Sequence, residues 1–212
     1  ASMKAYQSHL VSLNINVEYI DAFNPLSDIR KLIAHLKSIG IDSFEYIDTT
    51  DQWLEQRMQK ACAQHGVVAH KNHSPLFVLT TEENAKYFSG RKRMFQTDFY
   101  KHQRQQRNIL LDADKNPMGG KWTFDDENRL KYPKGKTPPA IQFSTSSPLH
   151  EEAAAYVRQY FPDNYGSINP QFIYPTNFAD SKQWLKTFFS TRFAEFGAYE
   201  DAIVTKEIFL HH

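Results

Sequence analysis

Apolar residues recur at helical spacing in a stretch near the start of the chain. The stretch follows Ser27 and Asp28, either of which suits an N-cap, and it ends at Gly40, which suits the position just past a helix. Its apolar positions keep the i, i+3, i+4, i+7 spacing of an amphipathic helix, at Ile29, Leu32, Ile33, Leu36 and Ile39. We therefore predict a helix with one buried face.

A second helix is predicted to begin after an N-cap at Thr49 or Thr50 and to end at Gly66. Its apolar side is formed by Trp53, Leu54, Met58 and Cys62. Residues 3–13 also have a helical pattern, and they lead directly into the first strand candidate.

Three short segments alternate with these helices and are predicted to be strands: 16–22, 43–47 and 67–70. An alternation of strands and helices with short loops is typical of crossovers onto a parallel sheet. A doubly wound sheet usually has about five or more strands. We therefore expect a partial sheet, the second half of a doubly wound α/β domain.

The pattern changes after residue 80. Residues 82–111 are predicted to be mostly helical and residues 112–117 to form a turn, after which the sequence is rich in Gly, Lys and Pro. From residue 147 onward helices dominate, with predicted bounds of 150–161, 181–196 with a stop at Gly197, and 199–210.

These patterns divide the chain into three predicted parts. Residues 1–79 are a partial α/β domain, residues 80–146 a linker with a basic helix and a Gly-Gly-Lys-Trp loop, and residues 147–212 the start of a helical domain. The predicted fold class is α/β followed by α.

Composition narrows the classes of function. Hydrophobic residues make up 41% of the chain, enough for a core, and the net charge of +1 gives no overall field that would recruit nucleic acid or an anionic membrane. No run approaches the roughly 20 apolar residues of a membrane span, so we expect no membrane partner. The one cysteine, Cys62, allows no disulfide within the chain and indicates a cytoplasmic protein.

Metal binding is not expected. A zinc or iron–sulfur site built from thiolates needs about four of them, and the chain has one. His65, His70 and His73 lie close in sequence, but around a strand and without the i, i+4 helical spacing of a zinc pair.

A cluster of basic residues lies within the segment predicted to be helical, with Asp98 as the acid between them. Its members are Arg91, Lys92, Arg93, Lys101, Arg104 and Arg107. Aromatic residues are interleaved with them, so phosphate contact is one interpretation; a solvated helix face paired with acids elsewhere is the other. The alternative function that the cluster suggests is a small nucleic-acid-binding module using residues 91–107.

An aromatic-rich segment of eleven residues lies in the predicted linker: Gly119, Gly120, Lys121, Trp122, Thr123, Phe124, Asp125, Asp126, Glu127, Asn128 and Arg129. It resembles the inter-domain signature of the bacterial photolyase-related proteins, the iron–sulfur branch of the photolyase/cryptochrome superfamily. Residues 94–107 resemble the family's helix before the signature, and residues 184–193 and 196–203 resemble the opening of its flavin-binding helical domain. The order and spacing agree over most of residues 75–212.

The resemblance implies a light-driven flavoprotein that acts on UV-damaged DNA, a lyase of the DNA-photolyase type, or a related blue-light photoreceptor. Members pair an α/β antenna domain, which residues 1–79 would represent in part, with a helical domain that buries FAD and a [4Fe–4S] cluster. Reduced flavin, excited directly or through an antenna pigment, passes an electron to a damaged pyrimidine pair flipped out of DNA.

The resemblance also leads us to expect an internal fragment of a longer protein. In the family, the segment that holds the flavin phosphates follows a run resembling Phe209-Leu210-His211-His212, and the cluster cysteines lie further on; Cys62 matches none of them. No catalytic, flavin, cluster or lesion residue is therefore assigned. The chain alone is expected to hold no cofactor, to be inactive, and to self-associate through the apolar helices 184–193 and 199–210.

Two interpretations of the signature segment stay open. A surface near bound DNA or flavin would use Lys121, Trp122 and Arg129. An inter-domain strap would use the two glycines for a sharp turn and the aromatic residues Trp122 and Phe124 to fill an apolar groove. In the strap, Arg129 would pair with Asp125 or Asp126.

Overall fold

The structure is a computed structural model that describes residues 1–168 and 173–202. Within these residues the fold is mixed α/β, with eight α-helices and one two-stranded parallel sheet. In chain order the elements are α1 (Ser2–Ser12), α2 (Ile29–Ser38), β1 (Ser43–Ile47), α3 (Gln52–His65), β2 (Val68–Asn72), α4 (Thr81–Phe88), α5 (Gln96–Arg107), α6 (Pro148–Tyr160), α7 (Phe178–Thr191) and α8 (Phe193–Tyr199).

The described residues form two units. The α/β unit, Ile20–Gly120, contains both strands and helices α2 to α5. The helical unit consists of Ala1–Tyr19 and the described residues from Lys121 onward, and it contains α1 and α6 to α8. The boundary at Gly120 lies inside the predicted linker, whose limits stay a prediction.

The sheet of the α/β unit has one face toward the core and one exposed face. β1 and β2 are parallel, with α3 as the connection between them, and their register pairs Phe44 with Ala69. Both of these residues pack against the core, whereas Glu45 and Ile47 on the other face are exposed. The core comes from α2, α3 and the residue before β2: Ile33, Met58, Ala61, Cys62 and Val67.

The ends of α2 match the predicted caps. The Asp28 carboxylate accepts a hydrogen bond from the backbone N–H of Arg30 at 3.0 Å. Gly40 has a φ of 85°, a conformation that glycine adopts at little cost. The Arg30 guanidinium also donates to the Asp28 carboxylate, with Nη2 2.6 Å from Oδ2. These hydrogen bonds lower the pKa of Asp28 to about 2.

At α3 the glycine stop is confirmed, but the predicted N-cap is wrong. Gly66 has a φ of 64°, as a helix-ending glycine should. The N-cap is Asp51, whose carboxylate accepts a hydrogen bond from the N–H of Leu54 at 2.8 Å, and neither Thr49 nor Thr50 has this role. An N-cap residue has an extended backbone. Thr50 does not, because its φ is 54°, whereas Asp51 does.

The strand predicted over residues 16–22 is also wrong. A strand needs a neighbour for its backbone hydrogen bonds, and in the described part of the chain β1 pairs with β2 alone. The end of the segment turns instead: the N–H of Asn24 donates to the carbonyl of Asp21, and the Ser27 hydroxyl donates to the carbonyl of Ala22, both at 2.9 Å. These bonds direct the backbone into α2.

Residues 82–111 are mostly helical, as predicted, and they contain two helices, α4 and α5. They are separated by residues 89–95, within which Gly90 has a φ of 72°. The predicted turn at 112–117 is confirmed, because the Asp112 carboxylate accepts hydrogen bonds from the N–H groups of Asp114 and Asn116 at 3.0 and 2.8 Å.

The helix predicted over residues 181–196 is divided too, and the predicted stop at Gly197 is wrong, because Gly197 lies inside α8. The break falls at Arg192, which is 1% exposed and packs against the rings of Phe188 and Trp184. Burial lowers the pKa of Arg192. The helices predicted over 3–13 and 150–161 are confirmed as α1 and α6, while most of the helix predicted over 199–210 lies outside the described residues.

Within the helical unit, α1 contacts both α6 and α7. Lys4 forms an ion pair with Glu152 of α6, and the ring centroids of Tyr6 and His9 lie 6.1 and 5.0 Å from that of Phe178 in α7. An apolar stripe on α7 and α8 is about half exposed: Leu185, Phe189 and Phe193. Self-association through this stripe stays a prediction. None of the helices in the described residues is long and apolar enough to span a bilayer.

We expect Ile33→Ala to lower the free energy of unfolding by about 3 kcal/mol, because the substitution leaves a cavity at a fully buried position between α2 and α3. Urea unfolding followed by circular dichroism measures the change. Ile39→Ala, at the exposed end of the same helix, is the matched control, with an expected change below about 0.5 kcal/mol. Equal losses from the two substitutions would contradict the assigned core.

We also expect the charge of Asp28 to make stability depend on pH. Its pKa falls from 3.8 to about 2 on folding, so its ionised form stabilises the fold above the higher value, and this contribution is lost as the pH falls toward the lower one. The unfolding free energies of the unmodified chain and of Asp28→Asn should therefore differ by a constant amount above about pH 5 and converge toward pH 2.

Asparagine keeps an oxygen for the cap, so this substitution tests the charge and not the cap geometry. Asp163→Asn, in an exposed turn of the helical unit, is the control for removing one carboxylate. A difference for Asp28→Asn that is unchanged at pH 2 would assign the effect to geometry.

Candidate functional site

Arg104 of the predicted basic cluster is buried, at 5% exposure. Its guanidinium donates hydrogen bonds to the carbonyls of Ile109, at 3.2 Å, and Leu110, and it lies over the ring of Tyr100. It therefore satisfies carbonyls just past the end of α5, where Asn108 takes a left-handed φ of 53°. Arg104 holds this turn and does not belong to an exposed basic surface.

The other basic residues of the cluster lie in different surroundings. Lys92 and Arg93 are exposed between α4 and α5, and Lys101 is half-buried on α5. Arg107 forms an ion pair with Glu83 of α4, with Nη2 3.4 Å from Oε2. The structure thus does not bring the six residues into one surface, and nucleic-acid contact by them stays a prediction.

Arg91 faces a cleft between α4 and α5. Its guanidinium carbon lies 4.1 Å from the ring centroid of Tyr87, and its Nε donates to the Tyr87 carbonyl at 2.8 Å. His102 and Phe99 of α5 contact the same ring, with centroid distances of 4.7 and 4.9 Å. The cleft has a volume of about 570 Å³.

The signature segment begins with the predicted glycine turn, since the φ angles of its two glycines are 86° and 79°. Lys121 then forms ion pairs with Asp126 and Glu127, and the hydrogen bond to Glu127 raises the pKa of Lys121. The ammonium also lies 4.8 Å from the ring centroid of Phe124. Phe124 is 43% exposed and so does not fill an apolar groove, whereas Trp122 is half-buried.

The end of the signature is attached to residues after α8. Arg129 pairs with Asp201, with 3.2 Å between Nε and Oδ2, and not with an aspartate of the signature as the strap interpretation predicted. Asn128 donates through Nδ2 to Oε2 of Glu200 at 3.3 Å, and its carbonyl accepts from the N–H of Asp201 at 3.3 Å. We call these contacts, with those of residues 130–136 to α8, the clasp.

The second half of the clasp reaches α8 itself. The N–H of Leu130 donates to the carbonyl of Ala198 at 3.1 Å, and the Tyr132 hydroxyl donates to Oε2 of Glu195 at 2.8 Å. Lys136 forms an ion pair with the same carboxylate. The hydrogen bonds from Lys136 and Tyr132 lower the pKa of Glu195, while burial and the bond to Glu195 raise the pKa of Tyr132. The charges of this segment are thus largely paired within the protein.

The residues considered as metal ligands are not brought together. Cys62 is buried in the core, where burial raises the pKa of its thiol, and a neutral thiol is a poor ligand. His73 lies 3.5 Å from a carboxylate oxygen of Glu82. Among residues 1–168 and 173–202, no three His, Cys, Asp or Glu side chains form a group that could hold a metal ion.

Sequence reasoning missed Tyr132, Lys136 and Glu195 of the clasp, and Lys86 and Tyr87 beside the cleft. The clasp joins positions 59 to 72 residues apart, for which the sequence carries no pairing signal. For the cleft a signal existed: aromatic residues at the end of α4 and on α5 indicate that the two helices pack together through rings.

Comparison with known proteins agrees with the resemblance seen in the signature. The chain is 27% identical over 136 residues to the (6-4) photolyase of Agrobacterium fabrum, which covers 64% of this chain and 26% of that protein. It is 30% identical over 137 residues to uncharacterized protein R852 of Acanthamoeba polyphaga mimivirus, which covers 63% of this chain and 68% of that protein. The chain thus spans about a quarter of the photolyase's length.

A family model described as deoxyribodipyrimidine photo-lyase-related protein matches residues 1–173, which is most of the sequence. The chain therefore belongs to the deoxyribodipyrimidine photo-lyase-related protein family.

Proposed function

We propose that this chain is part of a light-driven flavoprotein that acts on UV-damaged DNA. The observation that carries the proposal is the similarity to a (6-4) photolyase over 64% of the chain. A blue-light photoreceptor of the same family is the alternative. It would share the flavin and the domains of the repair enzyme, but its excited flavin would not repair a lesion.

The proposed division of labour follows the predicted domains. Residues 1–79 would contribute to an antenna-type domain, residues 80–146 would link the domains, and residues 147–212 would open the flavin-binding domain. The clasp supports a structural role for the linker, because Asn128, Arg129 and Tyr132 contact α8 and the two residues that follow it. In this proposal the signature holds the start of the helical domain in position.

FAD, a [4Fe–4S] cluster and an antenna pigment belong to the proposed whole protein. The residues of this chain do not fit the cluster: it needs about four thiolates, and the chain has one cysteine, which lies in the core. Flavin, when bound, would supply the light-driven electron transfer. The residues described here are proposed to position the helical domain, not to take part in that step.

The protein encoded by the whole reading frame from which these 212 residues come provides the test. We expect the purified product to keep the visible absorption of flavin after dialysis and to reverse (6-4) lesions in a synthetic duplex under blue light, since flavin chemistry defines the proposed activity. The 212-residue chain, treated identically, is expected to keep no flavin. The same duplex kept in darkness is the control for light dependence.

The outcomes separate the alternatives. A product with flavin but without repair would favour the photoreceptor. A product that holds no flavin would contradict both, and it would leave the family assignment without a light-driven function.

We expect Asn128→Asp to weaken the clasp, because it places a carboxylate beside that of Glu200, where the amide now donates a hydrogen bond at 3.3 Å. The loss in unfolding free energy should be about 1–2 kcal/mol at low salt, the usual effect of losing such a bond, and smaller at high salt, which screens the repulsion between charges. Urea unfolding at both salt concentrations measures it.

Asn164→Asp adds the same charge in an exposed turn of the helical unit and is the matched control. A loss for Asn128→Asp that is the same at both salt concentrations would show that charge repulsion in the clasp is not its cause.

A further inference from the structure

The cleft between α4 and α5 has more positive than negative groups on its walls. Lys86 and Arg91 line it from α4 and from the residues just after it, and Arg107 lines it from α5. The lining contains one carboxylate, that of Glu83. With three cationic side chains and one carboxylate, the cleft carries more positive charge than the whole chain, whose net charge is +1.

The cations differ in how far they are neutralised. Glu83 pairs with Arg107, and its carboxylate also accepts a hydrogen bond from the N–H of Thr80 in the cap of α4. Within the described residues, neither Lys86 nor Arg91 has a carboxylate at ion-pair distance. Like charges on the walls of one cleft repel each other, and an anion between them would relieve that repulsion.

Arg91 is also held in place before any ligand binds. The Tyr87 ring and carbonyl fix Arg91 on one side, which leaves the terminal nitrogens of its guanidinium as further donors. His102 packs on the same ring and lines the cleft, so an imidazole N–H can be offered beside the cations. Groups that are already ordered lose little entropy when a ligand binds.

We propose that this cleft binds the phosphate group of a small phosphate ester. The donor set suits a phosphate, since guanidinium and ammonium groups form charge-assisted hydrogen bonds to its oxygens. The volume of about 570 Å³ lies within the range of small-molecule sites. This proposal does not rest on the proposed light-driven function.

Two features favour a small ligand over a nucleic-acid strand. The donors converge in a concave cleft, while the exposed Lys92 and Arg93 beside it do not line that cleft. The ring of Tyr87 is already in contact with Arg91, His102 and Phe99, so it offers no open platform for stacking a base, as strand-binding proteins do.

Isothermal titration calorimetry of the 212-residue chain at low salt tests the proposal. The probes are inorganic phosphate, adenosine monophosphate, adenosine and a short oligothymidine. We expect saturable binding of the first two and none of adenosine, which lacks the phosphate. Lys86→Gln and Arg91→Gln should each weaken the binding of adenosine monophosphate about tenfold, the effect of losing one charge-assisted bond.

Lys92→Gln is the matched control, because it removes the same charge from an exposed position outside the cleft, and it should leave the affinity within about twofold. Circular dichroism establishes that the variants are folded. The proposal would be overturned by an absence of binding to both phosphate probes, by binding of the oligothymidine alone, or by an equal loss in Lys92→Gln and Lys86→Gln.

Discussion

Parallel strands cannot be joined by a tight turn, so β1 and β2 depend on α3, which connects them, and on α2, which packs against α3. Ile33 of α2 meets Met58 and Cys62 of α3 in an apolar contact from which water is excluded. Two strands alone would be at best marginally stable in water. The sheet packs against this contact through Phe44 and Ala69, and caps at Asp28 and Asp51 begin the two helices where their apolar faces can meet.

Features that depend on neighbouring residues could be predicted from the sequence, and features that depend on distant ones could not. Asp28, one of the two predicted N-caps of α2, and the helix stops at Gly40 and Gly66 act through bonds and torsions within a few positions, so the sequence could indicate them. The strand over 16–22 failed because strand formation requires a second strand beside it. Gly197 failed as a stop because glycine costs a helix only about 1 kcal/mol, which packing of the buried Arg192 nearby can outweigh.

The same distinction governs the charged residues. The sequence indicates the sign of each charge but not its partner, so the strap interpretation paired Arg129 with a nearby aspartate, whereas in the structure it pairs with Asp201. The signature itself was recognised by resemblance, and this led to the correct family, but the clasp required coordinates. The basic cluster shows the same limit: residues that are close in sequence lie in different surroundings, since Arg104 is buried in a turn, Arg107 forms an ion pair and Arg91 lines a cleft.

Arg104 shows what this means for substitution at a buried cation. Its guanidinium reaches two carbonyls at once because its nitrogens project in a rigid planar fork, and one of those carbonyls, on Leu110, belongs to a residue with a φ of 51°. Lysine would keep the charge but present a single point, which cannot span both oxygens. The position therefore selects for the shape of the side chain, and a replacement that conserves charge would be as disruptive there as a neutral one.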